Sequence, residues 1–187
     1  MEKVFINWII GMVDIGEYDE EVIAYGLIQG ATALLGIVIA LLMGAKLGIF
    51  LQSCIFMISF IPLRMYAGGY HASTKCRCAV ISFILLLIFF LGIKYWNISG
   101  LNTLLLGITE SILLFVQIPV DGTCALEPME KIVYKNRGRK ILFIETIFFV
   151  GMSILKYDFL AEPMAAVFTL VLVLLFLGKI KSWHMRR

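Results

Sequence analysis

Residues 22–42 read VIAYGLIQGATALLGIVIALL, 21 positions with no charge among them. At 1.5 Å of rise per residue, a helix of that length crosses the ~30 Å of hydrocarbon in a bilayer. Working outward from it, further apolar runs occupy 47–63, 79–93, 101–118, 141–155 and 164–180. Several fall short of the ~20 residues that a full crossing needs, and Tyr95, Trp96 and Tyr157 flank them as interfacial anchors that make up the length. Six spans is the simplest count. The expected fold is an all-α polytopic membrane protein.

Composition agrees. Of 187 residues, 61% are apolar and only 16% charged, with a mean hydropathy of +0.96. A water-soluble domain of this size needs more polar side chains to cover its surface. No Pro/Ser-rich linker, internal repeat or low-complexity tract divides the chain, so one domain over 1–187 is expected. Within it, 1–21 form an interfacial helix, 22–180 the six-helix bundle and 181–187 a basic cytoplasmic tail. The formal charge of +3 is modest; the expected surroundings are the lipid bilayer, and no nucleic acid is expected as a partner. Cys54, Cys76, Cys78 and Cys124 are too few and too scattered for a disulfide-stapled secreted scaffold.

The basic residues test the span count independently. With six spans, the N-terminus, the second and fourth loops and the C-terminus carry 13 of the 16 lysines and arginines; Lys46, Lys94 and Lys156 alone fall on the other side. A missed or extra span scrambles that alternation. The positive-inside rule then puts both termini and the loop around 64–77 on the cytoplasmic side of the membrane. The first 21 residues differ in kind. Phe5, Trp8, Ile9, Met12 and Val13 recur at helical spacing, and an acidic cluster follows at Asp14, Glu17, Asp19, Glu20 and Glu21. That pattern predicts a helix lying in the interface, retained rather than cleaved as a signal peptide.

The chemistry gathers in Arg64-MYAGGYHASTKCR-Cys78, between the second and third spans. Pro62 is expected to end the preceding helix, and Gly68-Gly69 permit an unusual backbone path. Ser73 and Thr74 are candidate caps for a helix beginning near Lys75, which sets Cys76 and Cys78 in its first turns. The helix dipole together with Lys75 and Arg77 favours thiolate over thiol there, as a cysteine nucleophile requires, and His71 is a ready base. Seven residues along one helix amount to about 10.5 Å, beyond hydrogen-bond reach. His71 must therefore lie in the loop and fold back over the helix start.

This segment resembles the catalytic region of the accessory gene regulator B (AgrB) family, bacterial membrane endopeptidases that process quorum-sensing propeptides. The family's Arg, Gly, His and, seven residues later, Cys are met by Arg64, Gly69, His71 and Cys78. Pro119-Val120-Asp121 also match a stretch the family carries after its fourth span, though Gly122-TCALE-Pro128 stands where Asn-Lys/Arg-Pro-Leu is usual. The resemblance implies that Cys78 is the nucleophile and His71 its base. It implies an AgrD-type propeptide, cut on the N-terminal side of its acidic tail through a thioester on Cys78 and cyclised to a thiolactone. A homodimer is implied too, with no cofactor and no bound metal.

Other residues admit two readings. Arg64 either clamps a carboxylate of the peptide tail or anchors the helix end. Glu110 and Glu145 lie in apolar runs, where an acid is costly. Glu145 reads as the partner of a neighbouring base; Glu110 either takes a protonated or hydrogen-bonded structural role or lines a peptide cavity; each is also a candidate to orient His71 as a third member. The basic run 131–140 is either a solvated topology signal or a dock for an acidic tail. His71, Cys76 and Cys78, with Cys54 or Cys124, make a poor match to the paired spacing of structural zinc sites. Cys54 reads as a small buried hydrophobe. The rival to an enzyme is a non-catalytic transporter or assembly factor for a small peptide; the two readings part on whether Cys78 is needed for cleavage.

Overall fold

The computed structural model describes residues 20–67, 75–95, 100–117 and 128–185. Six helices occupy them: α1 (Glu20–Leu47), α2 (Phe50–Ala67), α3 (Lys75–Tyr95), α4 (Gly100–Gln117), α5 (Pro128–Ile154) and α6 (Asp158–Met185). There is no strand among the described residues. Four segments are long and apolar enough to cross a membrane: Gly26–Leu47, Phe50–Ala67, Arg77–Tyr95 and Asp158–Lys181. The other two are the shorter apolar Leu101–Gln117 and α5, whose first half is polar and basic and whose apolar stretch begins at Ile141. The chain is an all-α polytopic membrane protein. The interfacial helix expected over 1–21 lies, up to residue 19, outside the described residues.

Contacts divide the chain into two units, 1–39 and 40–187. In the second, α6 packs against α2, α3, α4 and α5, and α5 also packs against α2 and α4. Its span is 56% buried, against 6% for that of α3, so α6 is the axis of this unit and α3 its periphery. Lipid tails are as apolar as leucine, and helices in a bilayer associate by close packing instead of by escape from water. Gly107 of α4 shows how: a Cβ there would overlap the ring of Phe149 of α5. That ring, fully buried, meets Phe168 of α6 edge-on at 5.7 Å. Phe56 and Phe90 join α2 to α3 in the same manner, with ring centroids 5.3 Å apart.

Two tight turns link consecutive helices. Gly48 has φ 76°, its N–H bonds Ala45 O at 3.1 Å, and that of Ile49 bonds Gly44 O at 2.9 Å. This is a Schellman cap, with Ile49 buried beside it. It starts α2 at Phe50, three residues later than the apolar run does. The α5–α6 turn repeats the bonds, Lys156 N–H to Ser153 O at 3.2 Å and Tyr157 N–H to Met152 O at 2.9 Å. Here a lysine occupies the left-handed position, at φ 60°.

One expectation fails. Pro62 does not end its helix; α2 runs through it to Ala67. Proline supplies a helical φ and removes a single N–H, the one that would bond Ile58 O. Adjacent packing keeps the last turn helical, with Leu63 and Ala67 wholly buried. Arg64 thus stands on the helix and not in the loop.

Lys156→Gly should relieve the left-handed strain and raise stability by about 1 kcal/mol, read as a higher unfolding midpoint in detergent. Gly107→Val should lower it by about 2 kcal/mol through overpacking against Phe149.

Candidate active site

The last turn of α2 and the first turns of α3 form one corner. Leu63 and Ala67 face inward, and Tyr66 lies against Tyr134 of α5, ring centroids 5.6 Å apart. These contacts fix the turn that carries Arg64, itself half-buried. Opposite, α3 begins at Lys75, where the sequence pattern placed it. Cys78 lies one turn in, a half-buried free thiol. The Arg64 guanidinium and the Cys78 sulfur are close enough to interact electrostatically.

Of the expected site residues, the structure brings Arg64 and Cys78 together. His71, Gly69, Ser73 and Thr74 lie outside the described residues, as do Gly68 and Cys124. Cys76 falls on α3 with its side chain undescribed. Cys54, expected to be buried, is half-buried on α2.

The two intramembrane acids take no part in this corner among the described contacts. Glu110 is only 8% exposed, and its Oε1 lies 2.7 Å from the Thr169 hydroxyl of α6. That hydroxyl also lies 3.0 Å from Ala165 O, so its single proton serves one acceptor at a time. Glu110 Oε2 and Glu145 Oε2 are buried without a donor. The base suggested as a partner for Glu145 does not meet it among the described residues: Arg139 instead donates from Nε to Phe115 O at 3.1 Å. Eleven residues, three helical turns, separate Glu145 from Tyr134, so both stand on the stripe of α5 that faces α2. Arg139 turns toward α4. Glu110 and Glu145 therefore address different neighbours and do not form a carboxyl pair.

The sequence reading missed three links: Thr169 to Glu110, Arg139 to Phe115, and Lys179 Nζ to Gln117 Oε1 at 2.6 Å. Each joins helices 24 to 62 positions apart, beyond any local spacing rule.

An all-helical chain with four helices long and apolar enough to cross a bilayer belongs, as a class, with the polytopic membrane proteins. The particular family follows from the sequence model of accessory gene regulator B (AgrB), which matches residues 3–181; the chain belongs to that family. Comparison with curated proteins and with solved structures gives no match. Membership places the chain in a membrane protease-like family, in quorum-sensing propeptide processing, with an AgrD-type propeptide as its partner.

Thr169→Val removes the only donor to Glu110 among the described residues and should cost about 1–2 kcal/mol, measured as a lowered unfolding midpoint. Glu110→Gln keeps an acceptor without the charge and should be neutral or stabilising.

Proposed function

We propose that the chain is a membrane-embedded cysteine endopeptidase, with Cys78 the nucleophile and His71 its general base. The observation that carries this reading is the placement of Cys78 at the start of α3 beside Arg64. His71 is the fourth residue beyond Ala67 and the fourth before Lys75. At no more than ~3.5 Å per residue, its Cα stays within about 14 Å of either helix end. That tether supports an imidazole held over Cys78.

The steps balance without a cofactor. His71 takes the thiol proton, and the thiolate attacks the peptide carbonyl at the boundary between the AgrD-type core and its acidic tail. The C–N bond breaks, the imidazolium returns the proton to the leaving amine, and the tail departs, leaving an acyl thioester on Cys78. A cysteine within the peptide then attacks that thioester. Its sulfur takes the acyl group, closing a thiolactone ring and releasing the Cys78 thiolate. One thioester replaces another, so the exchange is near neutral in energy and needs no ATP. Water is the competing nucleophile, and a site at the lipid boundary limits its access.

In this reading Arg64 meets a carboxylate of the tail. Backbone N–H groups at the start of α3 are natural donors to the oxyanion. Gly69 gives the loop its path, while Ser73 and Thr74 cap the helix. The basic loops set the site on the cytoplasmic side of the cell membrane, and the active species is a homodimer of one-domain chains.

Co-expression with the propeptide, followed by mass measurement of the released tail, tests the proposal. Cys78→Ala and His71→Ala should abolish cleavage while leaving the protein folded in the membrane. Arg64→Gln should slow it about tenfold, the equivalent of ~1.4 kcal/mol in the barrier. Undiminished cleavage by the Cys78→Ala protein would hand the case to a non-catalytic transporter or assembly factor.

A further inference from the structure

At the basic end of the bundle, α4 and α5 meet in a seam with two chemically distinct halves. Arg139 of α5 donates from Nε to Phe115 O in the last turn of α4, and its guanidinium lies 4.5 Å above the Phe115 ring. Both partners are neutral, so neither offsets the charge, and among the described residues no acid pairs with the terminal nitrogens of the fork, whose geometry suits a bidentate anion. Lys135 stands one turn above Arg139 on the same helix. One turn below it is Phe143, 62% exposed. Phe115 and Val116 of α4 are likewise exposed, at 46% and 72%. The apolar stretch of α5 begins at Ile141, so Arg139 marks the depth at which water gives way to hydrocarbon.

We propose that this seam is a binding site for an anionic phospholipid, its headgroup phosphate on Arg139 and Lys135 and its acyl chain along Phe115, Val116 and Phe143. The ligand must be amphipathic: cations alone suit any anion, but an uncovered aromatic and aliphatic surface directly beneath them, at membrane depth, suits a molecule with a tail. Basic pockets between transmembrane helices take anionic headgroups on the same grounds. An acidic peptide would satisfy the upper half and leave the lower half uncovered. The site is independent of the peptidase chemistry and needs neither Cys78 nor His71.

The test is native mass spectrometry of the full-length protein released from detergent, titrated with short-chain phosphatidylglycerol or phosphatidylcholine. Wild-type protein should retain phosphatidylglycerol in preference to phosphatidylcholine. Arg139→Gln should reduce that retention about fivefold, one cation's contribution at a membrane surface. Arg137→Gln, two residues away and on the other side of α5, should leave it unchanged. Equal retention of the two lipids overturns the site, and so does an equal loss in the Arg137→Gln protein, which means diffuse surface charge. A hexaglutamate peptide whose binding depends on Arg139 while lipid binding does not also overturns it, assigning the seam to a peptide. Should Arg139→Gln fail to fold for want of its bond to α4, Phe143→Gln tests the acyl half: retention should fall about threefold, and unchanged retention overturns the proposal.

Discussion

Hydrocarbon offers no hydrogen bonds, so every backbone group that a helix end leaves open must be answered from within the chain. Much of this architecture is an answer to that demand. Two turns close on Schellman caps, one on Gly48 and one on Lys156, each recovering two carbonyls of the preceding helix. The end of α4 has no such turn among the described residues, and a guanidinium from α5 supplies the missing donor at Phe115. There the answer comes from a neighbouring helix, so capping and tertiary packing are the same interaction.

What the sequence shows and what it hides divide along that line. Span positions are properties of the chain read in order, and each of the six apolar runs falls on a helix; α5, however, starts at Pro128, so the basic stretch 131–140 read as a loop is helical. The start of α3 at Lys75 was legible from a local hydroxyl pair followed by an apolar run. Pro62 was misread because its cost is local, whereas the burial of Leu63 and Ala67 that outweighs it comes from other helices. Of the candidate site, Cys78 and Arg64 were legible because their motif sits within fifteen residues. Thr169 was not. A threonine in an apolar helix announces nothing until the helix it faces is known.

The intramembrane acids show why a costly residue is not by itself a catalytic one. Glu110 has a hydroxyl for company and Glu145 faces another helix altogether. Neither touches the corner where sulfur and guanidinium meet. Their burial is a constraint on how the bundle's polar interior is arranged, whereas the α2–α3 corner lies at the end of the helices, where a peptide chain can be reached.

Phe149 seated on Gly107 works as a dowel between α4 and α5. Any side chain at that position would displace the ring, so the fit of these two helices depends on the missing Cβ. Accommodation of a bulky guest must then come from elsewhere, and α3, with 6% of its span buried, is the least restrained rod in this unit. The thiol rides on that rod. The bundle is thus pinned on one flank and loose on the other, and Cys78 sits on the loose one.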